Sequence, residues 1–102
     1  MVTLKDLKAL QDGDGMTIKN GKPIQYKTGF QVADHGITTK NASTAYKAIL
    51  AMNGNCGVWL DNGTYYIDHS FRISGKRKAI ETGRKFNQLS IYDWKRGVCI
   101  NC

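Results

Sequence analysis

Three cysteines and two histidines (Cys56, Cys99, Cys102, His35 and His69) are the residues of this chain best suited to hold a metal ion. Three thiolates and one imidazole form a closed tetrahedral set of the structural zinc type, with no position left for a catalytic water. The spacing Cys99-Ile100-Asn101-Cys102 lets two thiolates point to one side of a turn. Asn62-Gly63, set between aromatic and β-branched runs, favours a two-residue type I′ hairpin. Counting outward from that turn pairs Leu60 with Tyr65, Trp59 with Tyr66, Val58 with Ile67, Gly57 with Asp68 and Cys56 with His69. Directly opposed residues share a face, with Cβ atoms about 5 Å apart, so Cys56 and His69 can reach one ion. The expectation is one structural zinc held by Cys56, His69, Cys99 and Cys102, with His35 set aside because it falls at the opposite end of the sheet. A redox C-x-x-C normally opens a helix after a strand, which the chain-end position here does not match; unliganded cysteines are the other alternative.

No catalytic arrangement emerges. G-x-S-x-G, a phosphate loop and H-E-x-x-H are all missing, and the carboxylates are scattered on turns. Asp34-His35 and Asp68-His69 are sequence neighbours, and adjacent residues on a strand point to opposite faces, so neither pair acts as an acid–base couple. The chain reads as a non-enzyme.

A weak internal repeat aligns Gly29 to Leu60 with Gly63 to Asp93, placing Asp34-His35 over Asp68-His69 and Ala45 over Ala79. Each copy reads as strand, helix, strand, with helices near Ser43 to Met52 and Lys76 to Asn87, the second capped by Ser74. Two such copies joined by the Asn-Gly hairpin give βαββαβ, an α+β ferredoxin-like antiparallel sheet with two helices on one face. One domain, 1–102, is expected: an N-terminal helix and ribbon over 1–28, a core over 29–94 and a zinc-binding tail over 95–102. The tail would cross about 15 Å from the last strand to Cys56 and His69. Asp12-Gly13-Asp14-Gly15 reads as a turn, since it lacks the remaining ligands of a calcium loop.

The 102 residues carry a formal charge of +7, concentrated in the C-terminal half, which favours acidic partners. The N-terminal stretch has amphipathic helical spacing without signal-peptide features, and no apolar run approaches the roughly 20 residues needed to cross a bilayer. A soluble cytoplasmic protein is expected, whose cysteines are thiols or ligands before they are disulfides.

The hairpin register also leaves Trp59 and Tyr66 on the face away from the core. Leu89 and Ile91 of the last strand would share the core, and Tyr92 and Trp94 would join the aromatic face. Open aromatic sheets edged by lysine and arginine stack unpaired bases, so an RNA- or single-stranded-DNA-binding module is one outcome. Cover by the leucine-bearing N-terminal helix is the other.

The run G-V-W-L-D-N-G-T-Y-Y-I-D, followed by K-A-I-E-T-G-R-K-F-N-Q-L-S-I-Y-D-W, resembles accessory modules in small proteins of phages and mobile elements. With the terminal C-I-N-C, the chain resembles zinc-containing anti-CRISPR proteins that inhibit type II-A Cas9. That resemblance implies stoichiometric binding to Cas9 in a bacterial cytoplasm, hindering guide or target-DNA engagement. Arg77, Lys78, Arg84 and Lys85 on the exposed side of the second helix would then be the contact set. A phage assembly protein is a third outcome.

Overall fold

The computed structural model describes residues 1–102 except the side chain of His35, so the setting aside of His35 as a ligand lies outside the described residues. Among the described residues the elements run α1 (Leu4–Lys8), β1 (Gly15–Lys19), β2 (Lys22–Ile24), β3 (Phe30–Thr39), α2 (Ala42–Ala51) and β4 (Cys56–Asp61). β5 (Thr64–Ile73), α3 (Lys76–Lys85), β6 (Ser90–Asp93) and β7 (Val98–Asn101) follow. The chain groups into two compact units. Unit 1 comprises Met1–Ile24 and Gly36–His69, and unit 2 comprises Gln25–His35 and Ser70–Cys102. The long strands β3 and β5 contribute to both.

In unit 1 the strand order is β2-β1-β4-β5-β3. Both hairpins close on Asn-Gly pairs with left-handed φ, 51° and 79° at Asn20-Gly21 and 49° and 76° at Asn62-Gly63, the type I′ conformation these residues accept most readily. The β4–β5 ladder has the register counted from the sequence, Cys56 opposite His69 through Asp61 opposite Thr64. Helix α1 starts with a capping box, in which the Asp6 amide donates to the Thr3 hydroxyl and the Thr3 amide donates to the Asp6 carboxylate. Helix α2 is capped by Asn41, whose side-chain oxygen accepts from the Thr44 amide at 3.0 Å.

Leu7, Ile18, Ala45, Ile49, Val58 and Ile67 form the centre of one apolar cluster. The Tyr65 hydroxyl donates to the Leu7 carbonyl at 3.1 Å, satisfying the polar end of a buried ring. Helix α1 therefore packs on the same side of the sheet as α2 and shares its core. Cover of the aromatic face by this helix is not what forms: Trp59 stays 51 % exposed and Tyr66 36 %.

In unit 2 the order is β5-β3-β6-β7. Ala79 and Gly83 of α3 pack against Val32 and Ile91, with Phe30, Ile73, Ile80, Phe86 and Ile100 at the margin. Three expectations are corrected. The cap of α3 is Gly75, which offers no side-chain hydrogen bond, and not Ser74. Leu89 precedes β6 and is 90 % exposed, outside the core. The segment 95–102 does not cross the sheet as a tail: it turns at Gly97 (φ 66°) and returns along β6, Ser90 opposite Asn101 and Asp93 opposite Val98. The carboxylate of Asp93 fixes that turn by accepting from the Lys95 and Arg96 amides.

The result is an α+β protein with a mostly antiparallel sheet. The four strands expected as a core do fall in the order β4-β5-β3-β6. Here Gln31 meets Ser70 while Gly36 lies against the Ile67 carbonyl, so β3 and β5 run in opposite directions.

Candidate binding surfaces

The proposed zinc ligands are only partly brought together. Cys56 and His69 are cross-strand partners in unit 1, but Cys56 is fully buried in the apolar cluster and His69 is exposed. Burial pushes the Cys56 thiol up to about 11, with the nearby Asp68 carboxylate adding to the shift, so the group is a neutral packed thiol. Cys102 belongs to the core margin of unit 2, where its sulfur fills the space left by Gly83, and Cys99 is exposed on β7 opposite Tyr92. Among the described residues no group of three or more His, Cys, Asp or Glu side chains is placed to hold a metal ion. Cys56 and His69 belong to unit 1 and Cys99 and Cys102 to unit 2, and a ligating thiol would have to be deprotonated.

Charge separates the two units. Unit 2 contains nine of the fifteen Lys and Arg residues and three of the eight Asp and Glu, so +6 of the +7 resides there. Arg77, Lys78, Arg84 and Lys85, expected as a contact set, are all exposed on α3, together with Lys76. Glu81 pairs with Arg77 at 3.5 Å, an exposed contact of the kind contributing between about 0 and 1 kcal/mol. The partly buried Ile80 floors a shallow depression rimmed by Lys76, Arg77, Glu81 and Arg84.

The first turn of α3 is electrostatically unusual. It contains Lys76, Arg77 and Lys78, no acidic residue and no side-chain cap. The helix dipole already places partial positive charge there, and each misplaced cation costs about 0.3–1 kcal/mol at low salt. Folding alone does not favour that composition.

The expected aromatic residues divide into two pairs. Trp59 and Tyr66 lie in unit 1 with ring centroids 5.5 Å apart and planes tilted by 34°. The same face carries Asp61 and Asp68, the latter with its carboxyl raised by burial. Tyr92 and Trp94 lie in unit 2, edge to face at 5.0 Å. Tyr26 joins them, 5.6 Å from Trp94, and Arg72 lies 5.3 Å over the Tyr26 ring. Sequence reasoning missed Tyr26 and Arg72. Their separation gives no periodic signal; only the alternation of β5, with Phe71 turned toward Phe86 of α3 and Arg72 away from it, points to the association.

No helix among the described residues is long and apolar enough to cross a membrane. No family model matches the chain, and neither a curated protein nor a solved structure was found to be similar to it.

Proposed function

We propose that this is a non-enzymatic binding protein that captures an acidic protein surface through α3. The observation supporting this most directly is the first turn of that helix, where three exposed cations stand against the dipole without a side-chain cap or an acidic residue in that turn, and with one carboxylate, Glu81 beside Arg77, a turn further on. A side chain that weakens its own helix has a use outside it, and an anionic partner converts the local repulsion into attraction. Ile80, partly buried between Arg77 and Arg84, gives the contact an apolar centre inside a charged rim, the usual anatomy of a protein interface. The resemblance of the chain, with its terminal C-I-N-C, to zinc-containing anti-CRISPR proteins suggests a Cas9 effector as that partner, blocked in its engagement of guide or target DNA in a bacterial cytoplasm.

The test is to replace Arg77, Lys78, Arg84 and Lys85 by alanine together and measure Cas9 binding and target cleavage, with circular dichroism to confirm folding. Loss of affinity of at least tenfold and recovery of cleavage are expected. Binding and inhibition equal to the parent would show that α3 is not the contact. Failure of the parent chain to bind Cas9 would remove that partner.

A further inference from the structure

The helix-free face of unit 2 combines rings and fixed cations that α3 does not explain. Trp94 is held in place by two successive hydrogen bonds, its indole N–H donating to Gln31 Oε1 at 3.1 Å and the Gln31 amide donating to Ser70 Oγ. Tyr26 and Tyr92 stand against it, and all three rings keep part of their surface in solvent. Arg72 is exposed yet immobilised: Nε donates to the Thr28 carbonyl at 2.9 Å, one terminal nitrogen donates to the Thr28 hydroxyl at 3.1 Å, and the guanidinium lies over Tyr26. Gly29 is required for this placement, because a Cβ there would fall 2.7 Å from Arg72 Nε.

The surrounding charge is of one sign. The Trp94 amide donates to the Gly29 carbonyl, tying the segment 25–29 to the turn after β6, so the chain positions of exposed Lys27, Lys95 and Arg96 adjoin those of Tyr26 and Trp94. The adjacent carboxylate, Asp93, is 6 % exposed and already accepts from the Lys95 and Arg96 amides. Positioned cations next to pre-set rings suit a chain of phosphates carrying unpaired bases, since the charges track the backbone and the rings stack bases of any sequence. A duplex hides its base faces and offers only its phosphates. The aromatic pair of unit 1 lacks the charge for this, as it shares its face with Asp61 and Asp68.

We infer that Tyr26, Tyr92 and Trp94, with Arg72, Lys95 and Arg96, form a binding site for single-stranded nucleic acid on the helix-free face of unit 2. This site is independent of the partner proposed for α3.

The chain has two tryptophans, so Trp59→Phe leaves Trp94 as its one indole reporter. Titrating that variant with a 12-residue oligouridylate or oligothymidylate at low salt should quench the fluorescence, with a duplex of equal length binding at least tenfold more weakly. Lys95→Ala/Arg96→Ala, both in an exposed turn, should weaken binding at least tenfold and lower the salt slope by about 1.4, at about 0.7 per phosphate contact for single strands. Tyr26→Ala should lower affinity by a similar factor, and the charge-matched control Lys40→Ala/Lys47→Ala in unit 1 should leave it unchanged. Absence of oligonucleotide binding at 50 mM salt, equal affinity for duplex, equal loss in the unit 1 control, or binding without a change in Trp94 emission would each overturn the assignment.

Discussion

Cys56 and His69 face each other across the β4–β5 ladder, yet one is completely enclosed and the other lies in solvent. The pairing follows from the Asn62-Gly63 turn; the difference in environment follows from where the core ends. A thiol in that position is a small apolar core residue, and its titration becomes a stability effect. The folded thiol is raised to about 11 from 9.0, so above pH 9 the unfolded chain releases its proton first and unfolding is favoured. Between pH 8 and pH 11 the parent protein should lose about 2 kcal/mol that Cys56→Ala does not, the loss approaching about 1.4 kcal/mol per pH unit between the two titrations. Urea unfolding of both proteins across that range measures it; parallel curves would show that Cys56 is not a protonated core thiol.

Thiol accessibility separates the three cysteines. Cys99 should react with a thiol-specific reagent within the native protein, and Cys56 only on unfolding. Incubation with a strong chelator should leave the thermal midpoint where it was. A fall of more than about 5 °C would restore a metal to the fold.

Gly83 and Cys102 form a fitted pair between α3 and the chain beyond β7. A Cβ at position 83 would sit 2.6 Å from the Cys102 sulfur and 3.0 Å from an Ile91 methyl. Gly83→Ala gains about 1 kcal/mol of helix propensity and loses about 1–3 kcal/mol to crowding. Net destabilisation is expected for the single variant, with substantial recovery in Gly83→Ala/Cys102→Ala. A double-mutant cycle by chemical denaturation checks it, and additive effects would show that the contact is not made.

The expectations that succeeded rest on local chemistry. Two Asn-Gly turns, the positions of α2 and α3, and the β4–β5 register depend on neighbouring residues whose φ preferences and periodicity are printed in the chain itself. The course of the last eight residues was readable only in part. Gly97 and the alternating Val98-Cys99-Ile100 mark a returning strand, but a C-x-x-C draws attention to ligation, and the cap provided by Asp93 depends on a turn not yet formed. The Tyr26–Arg72 association left only the alternation of β5 as a signal, because Arg72 reaches a loop 44 positions away through the antiparallel meeting of β3 and β5.

Tyr65 tests the placement of α1. Its hydroxyl donates to the carbonyl of Leu7, inside the cluster that α1 closes. Tyr65→Phe removes that bond and leaves the carbonyl with the Leu10 amide at 3.2 Å, so it should cost about 0.5–1.5 kcal/mol, while Leu7→Ala should cost about 2–5 kcal/mol. Equilibrium unfolding gives both values. A Tyr65→Phe protein as stable as the parent would place α1 elsewhere.

The uncapped, cation-rich beginning of α3 also makes the order of that helix a function of its surroundings. Backbone amides near Gly75 should exchange with deuterium fastest in water of low ionic strength and slow as sulfate or a polyanion is added, because each anion offsets charge that the sequence leaves uncompensated. Any anionic partner would then bind and rigidify in one step, so part of its affinity would register as reduced fraying at the start of α3 and not as contact at the surface.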